Sequence, residues 1–329
     1  MKRKITLLTL SLIKGGAENQ LVKLAVHLKK SGNEVSIISV FPDNDFEEIL
    51  AENNINTYLI PFKKGIGFIK LVQFVKKQRP DLIISFMYGA NILGRFVKKL
   101  TKTPLITSVR NNEIDFKFFW FYRFTKKIDS ITTFNSQFAL NKFKEQRLTI
   151  SSKSFLINNA IEIKEYKEDQ VKPKGPFKMV SIAHFRPQKD YHTLFKACSL
   201  LHKKGIDFEF TVLGHLYDQA WPFELIKEYQ IEDKVNILGF QDNTYEYIRN
   251  SNLVVLSSLW EGTPNALLEA YANKLPVVSS NIDGCRELLN ASNGGFLFET
   301  QNPRDLCEKL TRMINLPIEE RVSMGLNGY

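Results

Sequence analysis

The sequence predicts an α/β protein made of two doubly wound domains, each with a parallel sheet covered by helices on both faces. Three observations lead to this prediction. Short apolar runs alternate with amphipathic helical patterns along the whole chain, and a length of 329 residues suits two domains. One charged stretch without an apolar period divides the chain near its middle. Strands that alternate with helices are typical of parallel sheets.

The first half carries six predicted strands and six predicted helices. Ser136 is expected to cap the last of these helices, because a serine hydroxyl can accept from the free amides of a first turn. The predicted strands are residues 5–10, 35–40, 57–60, 82–85, 105–109 and 130–134. The predicted helices are residues 17–30, 46–53, 68–78, 90–100, 117–127 and 137–143.

The second half repeats the same alternation. Its predicted strands are residues 177–183, 208–213, 235–238, 253–256, 276–279 and 295–298. Its predicted helices are residues 191–204, 222–229, 244–249, 264–272, 285–289 and 305–315. Residues 162–176 between the halves contain two prolines and one glycine, which predicts a linker between domains 1–161 and 177–329. We expect ligands at a cleft where the carboxyl ends of the strands face each other.

Composition excludes several classes of protein. Apolar residues make up 43% and charged residues 24%, which is ordinary for a globular protein and excludes disorder. The three separated cysteines predict neither a zinc site nor a disulfide scaffold and favour the reducing cytoplasm. Residues 1–16 resemble a secretion signal, but Thr and Ser interrupt the apolar run and Gly-Gly follows it, so we expect a first strand instead. No apolar run is long enough to span a bilayer.

The positive charge lies in the first half. The chain has 45 Lys and Arg against 35 Asp and Glu, and residues 1–169 hold 28 and 16 of these, a net charge of +12. Seven of the nine residues 116–124 are aromatic, and Lys126 and Lys127 follow them. Aromatic rings beside cations suit an anionic membrane surface; an aromatic core helix is the alternative. Nucleic acid is a poor candidate partner because the chain has no helix-turn-helix, zinc or RNP pattern.

Two glycine-rich or basic turns could bind an anion. Gly15 and Gly16 end the first strand region and open a helix, where backbone amides favour a negative charge; a plain tight turn is the alternative. Arg186 and Lys189 lie on a turn before another helix, a spacing that suits a diphosphate, although solvated loop charge is also common.

A third motif, at residues 261–269, carries two carboxylates. Glu261 lies in the loop after an apolar strand, and Glu269 lies eight residues later on the following helix. Gly262 permits close approach of a ligand, and Pro264 suits the first helical turn. Carboxylates accept hydrogen bonds from sugar hydroxyls, so the pair predicts a site for an extended polar ligand; two solvated glutamates are the alternative.

Together these motifs resemble GT-B glycosyltransferases of family GT4, which are retaining enzymes with two Rossmann-like domains. The resemblance rests on GGAE at 15–18, RPQKD at 186–190, EGTPNALLEA at 261–270 and PVVSSNIDGCREL at 276–288. Two departures are Thr263, where the family often has Phe, and Gly214-His215-Leu216, where it often has Gly-x-Gly. We also expect the chain to lack the final helix that, in many members, crosses back to the first domain.

The resemblance implies a retaining hexosyl- or N-acetylhexosaminyltransferase that needs no metal and uses a UDP- or GDP-sugar. It assigns the donor diphosphate to Arg186 and Lys189, the donor sugar to Glu261 and the ribose to Glu269. Gly15, Gly16 and His184 are expected near the donor. The remaining expected donor contacts are Gly262, Thr263, Pro264, Asn265, Ala266 and Leu267.

The acceptor is expected on the first domain. Tyr88 and Asn91 follow the fourth strand, and Arg110 and Glu113 follow the fifth, so all four are candidate acceptor contacts. The expected acceptor is a polyprenyl-diphosphate-linked glycan or a growing surface oligosaccharide, as in capsule or lipopolysaccharide assembly, at the cytoplasmic face of the plasma membrane. Two alternatives stay open: a nucleotide-sugar epimerase on the same fold, and a non-catalytic membrane-associated protein that binds nucleotide sugars.

Overall fold

The computed structural model describes residues 2–62, 66–111, 114–163 and 175–329, without the side chain of Lys117. The chain divides into two compact units, Met1–Ala160 and Ile161–Tyr329. Most of the predicted linker, residues 164–174, lies outside the described residues.

The first unit contains a seven-stranded sheet in which every neighbouring pair is parallel. The strand order is β3-β2-β1-β4-β5-β6-β7. The strands are β1 Lys4–Leu8, β2 Glu34–Ser39, β3 Asn56–Leu59, β4 Leu82–Phe86, β5 Leu105–Val109, β6 Ile131–Phe134 and β7 Ser154–Leu156. The helices are α1 Gly16–Lys30, α2 Glu47–Glu52, α3 Ile66–Gln78, α4 Tyr88–Thr101, α5 Phe116–Thr125 and α6 Gln137–Glu145.

The second unit contains a six-stranded parallel sheet of order β10-β9-β8-β11-β12-β13. Its strands are β8 Phe177–Ile182, β9 Phe208–Leu213, β10 Val235–Ile237, β11 Leu253–Leu256, β12 Val277–Ser280 and β13 Gly295–Phe298. Its helices are α7 Tyr191–Lys203, α8 Trp221–Glu228, α9 Thr244–Arg249, α10 Asn265–Ala272, α11 Asp283–Ser292, α12 Pro303–Asn315 and α13 Ile318–Gly328. The predicted fold class is therefore confirmed.

Local sequence explains most of these elements. Strand β11 is buried along its whole length, because helices cover both faces of the sheet. The Ser136 hydroxyl accepts from the Ala139 amide at 3.2 Å, which confirms the predicted cap of α6. Two elements were not expected from the sequence: strand β7 at the edge of the first sheet, and helix α13, which packs on α10 and α11.

Each sheet has one point where the strand order reverses. In the first sheet, β1 lies between β2 and β4, and in the second, β8 lies between β9 and β11. At such a point the loops after the two central strands leave in opposite directions and open a crevice for ligands. Every motif of the sequence analysis follows one of these central strands or its neighbours. Within the described ranges, no helix is both long and apolar enough to cross a bilayer.

Candidate active site

The crevice of the second unit is formed by the loops after β8 and β11. Two hydrogen bonds join these loops: the Leu259 amide donates to the Gln188 carbonyl at 2.7 Å, and the Ser257 hydroxyl donates to the Lys189 carbonyl at 2.6 Å. The backbone that carries Lys189 is therefore fixed to the backbone that carries Glu261. This attachment positions both motifs before any ligand binds.

Lys189 and Glu261 are in direct contact, although they lie 72 residues apart in the chain. Their side chains are 19% and 14% exposed, so the ion pair is partly shielded from water yet open to the crevice. The Ser258 hydroxyl donates to the same carboxylate at 2.9 Å. A carboxylate held by an ammonium and a hydroxyl keeps one orientation, which suits it to receive a sugar hydroxyl.

Arg186 lies on the same turn but points to a different partner. Its guanidinium donates to the Tyr217 hydroxyl at 2.7 Å and lies 5.3 Å from the centre of that ring. Pro187 and Gln188 separate the two cations, and the Lys189 amide donates to the Arg186 carbonyl at 2.9 Å. The turn therefore presents two cations toward the loops after β9 and β11.

His184 belongs to an aromatic group beside this turn. Its Nδ1 atom accepts from the His215 amide at 3.1 Å. The rings of His215 and Phe240 stack with centres 4.4 Å apart, and Tyr217 lies beside both histidines. Flat rings at the edge of a crevice offer a stacking surface for a planar ligand group. Sequence reasoning singled out only His184 among these four.

The motif 261–269 divides between the crevice and the core. Gly262, Pro264, Ala266 and Leu267 are buried, and the last two belong to the hydrophobic cluster under α10. The Ala266 and Leu267 side chains therefore serve packing, and only their backbone can reach a donor. Thr263, Asn265 and Glu269 are half-buried, and the Thr244 hydroxyl donates to Glu269 at 3.5 Å. Pro264 caps α10 rather than beginning it.

Gly284, which the sequence analysis did not assign, shapes this site. A Cβ atom built on Gly284 would lie 1.8 Å from the Gly262 carbonyl oxygen, so only glycine lets α11 approach the loop. Cys285 follows it and is fully buried; burial raises the pKa of its thiol to about 12. A general pattern could not have identified Gly284, because its role depends on a contact with a distant loop.

In the first unit, Gly15 and Gly16 open helix α1, as the sequence predicts. Gly15 caps α1 with an extended backbone, and Gly16 is its first residue. Tyr88 begins α4, and its hydroxyl donates to the Asn111 carbonyl at 2.8 Å. Glu113 lies outside the described residues.

Asn91 requires a correction, because it is fully buried and presents nothing to an acceptor in this structure. Its amide nitrogen donates to the Ser108 carbonyl at 3.0 Å and to the Tyr122 hydroxyl at 2.6 Å. The Ser85 hydroxyl donates to its amide oxygen at 2.7 Å. A buried amide with these partners holds α4 against the sheet.

Arg110 is a largely desolvated cation at the end of β5. It donates to the Ser108 hydroxyl at 2.9 Å and to the Asn159 side-chain oxygen at 2.8 Å, and it lies over the Phe86 ring. Burial lowers the pKa of its guanidinium to about 10. These partners are uncharged, so an anion placed here would stabilise the charged form.

Met87, also in the first unit, has an unusual backbone conformation. It lies between β4 and α4 with φ 70° and ψ 162°, a backbone conformation that is strained for any residue except glycine. Its amide donates to the Ser108 carbonyl at 3.1 Å. Such strain persists where the surrounding structure enforces it, and it is concentrated at ligand sites.

Comparison with known proteins identifies the family. The model for group 1 glycosyl transferases matches residues 162–329, and the model for glycosyltransferase family 4 matches residues 14–165. The crystal structure of Anabaena HepE in complex with UDP-glucose covers 99% of this chain and 93% of its own, with a TM-score of 0.85 and 20% identity. That likeness shows a shared fold.

Two relatives have names that state a reaction. The N-acetylgalactosamine-N,N'-diacetylbacillosaminyl-diphospho-undecaprenol 4-alpha-N-acetylgalactosaminyltransferase of Campylobacter jejuni is 26% identical, across 95% of this chain and 90% of its own. The UDP-Gal:alpha-D-GlcNAc-diphosphoundecaprenol alpha-1,3-galactosyltransferase of Escherichia coli is 23% identical, across 78% and 72%. Since the two family models together span residues 14–329, the chain belongs to the group 1 glycosyl transferases and is a glycosyltransferase of the GT-B, GT4-like type.

Proposed function

We propose that this glycosyltransferase transfers a hexose or N-acetylhexosamine, with retention, from a UDP- or GDP-sugar to a lipid-linked or growing surface glycan. HepE binds UDP-glucose on the same fold, and two relatives are named for diphospho-undecaprenol acceptors. The observation that carries the proposal is the contact between Lys189 and Glu261 at the strand ends of β8 and β11.

The donor diphosphate is the group that Lys189 and Arg186 would bind. Negative charge develops on this leaving group in the transition state, and a cation fixed in place beforehand stabilises it without reorganisation. One such preorganised contact is worth about 2.7–4 kcal/mol. The two side chains would thus supply the charge for which many transferases use a metal ion.

Glu261 would then receive hydroxyls of the donor sugar, and Glu269 those of the ribose. When the diphosphate binds Lys189, the Glu261 carboxylate would exchange that ammonium for a sugar hydroxyl while Ser258 keeps it oriented. A carboxylate engaged in this way is a poor general base. We therefore propose attack from the face of the departing diphosphate, whose oxygen takes the acceptor proton. Same-face attack retains the configuration of the sugar.

The acceptor would bind to the first unit. A diphosphate on a polyprenyl chain would supply the anion that the desolvated Arg110 favours, with Tyr88 and Glu113 as further contacts. A polyprenyl carrier resides in the bilayer, so we place the reaction at the cytoplasmic face of the plasma membrane. The enzyme would meet that surface through its basic first unit.

Lys189→Ala in the full-length protein tests the proposal. With UDP-glucose and GDP-mannose as donor probes and polyprenyl-diphosphate sugars as acceptor, we expect kcat to fall about 100- to 1,000-fold because a transition-state contact is lost. Lys203→Ala, an exposed lysine at the end of α7, is the matched control. The readout is acceptor-dependent release of nucleotide, before and after dialysis against EDTA, which we expect to leave activity intact.

Three results would contradict the proposal. Unchanged turnover in Lys189→Ala would remove the diphosphate assignment. Interconversion of nucleotide sugars without nucleotide release would indicate an epimerase. Donor binding, seen as a rise in melting temperature without turnover on any acceptor, would indicate a non-catalytic binding protein.

A further inference from the structure

Helix α5 presents a row of aromatic rings to solvent. Phe116 is 78% exposed, Phe124 is 76% exposed, and Trp120 and Phe121 are about half exposed. Phe116, Trp120 and Phe124 are spaced by four residues and so lie along one stripe, where the Trp120 and Phe124 rings stack 5.8 Å apart. Large apolar side chains that are exposed together mark interaction sites.

The opposite side of α5 is fixed in the core. Tyr122 is fully buried, contacts Phe143 edge to face, and receives a hydrogen bond from Asn91. Arg95 of α4 lies 4.0 Å from the Tyr122 ring centre and forms a two-bond ion pair with Asp129 at 2.6 and 2.8 Å. A rotation of α5 that buried its outer rings would break these contacts. The packing of α5 against the core therefore keeps the outer rings exposed.

Exposed apolar side chains continue onto the two neighbouring helices. Helix α5 packs beside α4, which packs beside α3. Helix α4 exposes Phe96 and Leu100, and α3 exposes Ile66 and Ile69. Each of these three adjacent helices therefore exposes apolar side chains.

Cations gather at the carboxyl end of α5. Arg123 donates to the Gln146 carbonyl at 2.9 Å, and Lys126 contacts the Arg147 carbonyl. Desolvation and the nearby charges of Arg123, Arg147 and Lys127 lower the pKa of the Lys126 ammonium. The hydrogen-bond acceptors of Arg123 and Lys126 are neutral carbonyls, which leave the positive charge in place. Aromatic rings and a cationic cluster therefore share one surface.

We propose that this α5 surface, defined as Phe116, Trp120, Phe121, Phe124, Arg123, Lys126, Lys127 and Arg147, docks the protein on an anionic lipid bilayer. The inference rests on the proposed function, because a polyprenyl-linked acceptor requires the enzyme at the membrane. The rings enter the headgroup region, where aromatic side chains partition, and the cations meet the negative lipid surface. The charge selects a lipid surface over a second copy of this chain, whose identical cationic cluster would repel it.

Vesicle flotation of the full-length protein tests the surface. The vesicles contain phosphatidylcholine alone or mixed with phosphatidylglycerol. We expect binding to the mixed vesicles only, weakened when salt rises from about 0.1 M to about 1 M because screening shortens the range of the charges. Phe116→Ser/Phe124→Ser is expected to lower the partition coefficient between vesicles and water about 100-fold, because two apolar rings are lost. Lys127→Glu/Arg147→Glu is expected to lower it by at least about 30-fold.

Matched controls lie in the second unit. Phe223→Ser/Leu326→Ser removes two exposed apolar side chains from α8 and α13, and Lys203→Glu/Lys204→Glu makes the same change in net charge. Both controls are expected to float like the parent. Melting temperature and the UDP-glucose-dependent rise in it are measured for every variant.

The outcomes separate the two proposals. A parent that stays off mixed vesicles, or α5 variants that float like the parent, would overturn the docking surface. If that parent also releases nucleotide with a polyprenyl-diphosphate acceptor, the proposed function survives. A parent that is dimeric in solution and becomes monomeric in Phe116→Ser/Phe124→Ser would identify a second copy as the occupant and overturn the lipid assignment.

Discussion

Two glycines allow the loops around the crevice of the second unit to pack closely. A Cβ atom on Gly214 would lie 2.0 Å from the Ala183 carbonyl oxygen, and one on Gly284 would lie 1.8 Å from that of Gly262. Both contacts are with backbone, which cannot move aside as a flexible side chain would. The positions of Lys189 and Glu261 therefore depend on residues that have no functional group of their own.

Gly284→Ala is expected to displace the loop that carries Glu261. The added methyl group must push the Gly262 carbonyl away, so kcat/KM with the donor should fall about 10- to 100-fold, since small misplacement of catalytic groups is costly. Steady-state kinetics with UDP-glucose measures this. Gly205→Ala is the control for loss of a glycine: φ is +70° there, so an alanine is strained and stability falls, but no atom lies within 4 Å of the added methyl group. Equal kinetics in the two variants would show that the loop tolerates the shift.

The Cys285 thiol gives a pH dependence of stability. Its folded pKa, raised to about 12 by burial, lies above the unfolded value of about 8.5. Between these values the unfolded state loses the proton while the folded state keeps it, so the contribution to stability is complete below about pH 8.5 and is lost as pH rises. Between about pH 8.5 and 10 we expect a loss of about 2 kcal/mol.

Urea unfolding of the parent and of Cys285→Ala at both pH values checks this contribution. The variant lacks the thiol, so its free energy of unfolding should fall less steeply with pH. Parallel pH profiles for the two proteins would show that the thiol does not titrate between the folded and unfolded states.

Helix α5 combines a fixed inner face with an exposed outer one. Arg95 and Asp129 are both almost fully buried and lie on α4 and just after α5, so they join the helix to its neighbour. Breaking such a pair leaves an unpaired charge in the core, whereas replacing both members removes the charges together. The ion pair thus determines which side of α5 meets water.

Asp129→Asn is expected to destabilise the first unit by about 3–5 kcal/mol, because it leaves the Arg95 guanidinium buried without its counter-charge. The double variant Arg95→Met/Asp129→Asn should recover part of that loss. Thermal and urea unfolding measure both. Exposed ion pairs contribute less than about 1 kcal/mol to the free energy of unfolding. If Asp129→Asn lost no more than that, the pair would not be stabilising the protein as a buried pair does.

The elements that the sequence did not predict have clear physical reasons. Strand β7 has only three residues, and Phe155 and Leu156 are exposed at the sheet edge, so no alternation marks it. Helix α13 contains Gly325, which usually ends a helix; here it permits close packing on the Lys274 carbonyl. By contrast, β11 and β12 are apolar or small throughout, which made them predictable.

The candidate site was predictable only in part. Lys189 and Glu261 could be placed together because both motifs follow central strands of a parallel sheet, whose carboxyl ends share one edge. The roles of Ser258, Tyr217 and Gly284 come from contacts between loops that are distant in sequence. Asn91 was assigned to the surface because it follows a strand end, but its position on α4 turns it inward to Tyr122.

The molecule consists of two units with separate cores. Among the described residues, the clusters around β1 and β4 draw only on the first unit, and those around β8 and β11 draw only on the second. Donor chemistry is proposed for the second unit and acceptor chemistry for the first. Each unit therefore has its own hydrophobic core to stabilise it.

Residues 175–329 expressed alone are expected to fold cooperatively and to bind UDP. Their core contains its own sheet and seven helices, and the Lys189–Glu261 contact lies within it. Circular dichroism and UDP-dependent thermal shift measure folding and binding, and Lys189→Ala in the same fragment is the binding control. An unfolded fragment would show that the first unit is needed for stability.

The burial of Arg95 and Asp129 has an evolutionary consequence. Because the ion pair and Tyr122 secure one side of α5, mutations on its other side leave the interior undisturbed. Substitutions at Phe116, Phe121 or Phe124 are therefore expected to change the exposed surface of α5 while the first unit stays folded. We expect orthologues to keep the three buried residues wherever this helix is kept, and to vary at the outward positions only where the surface that they bind differs.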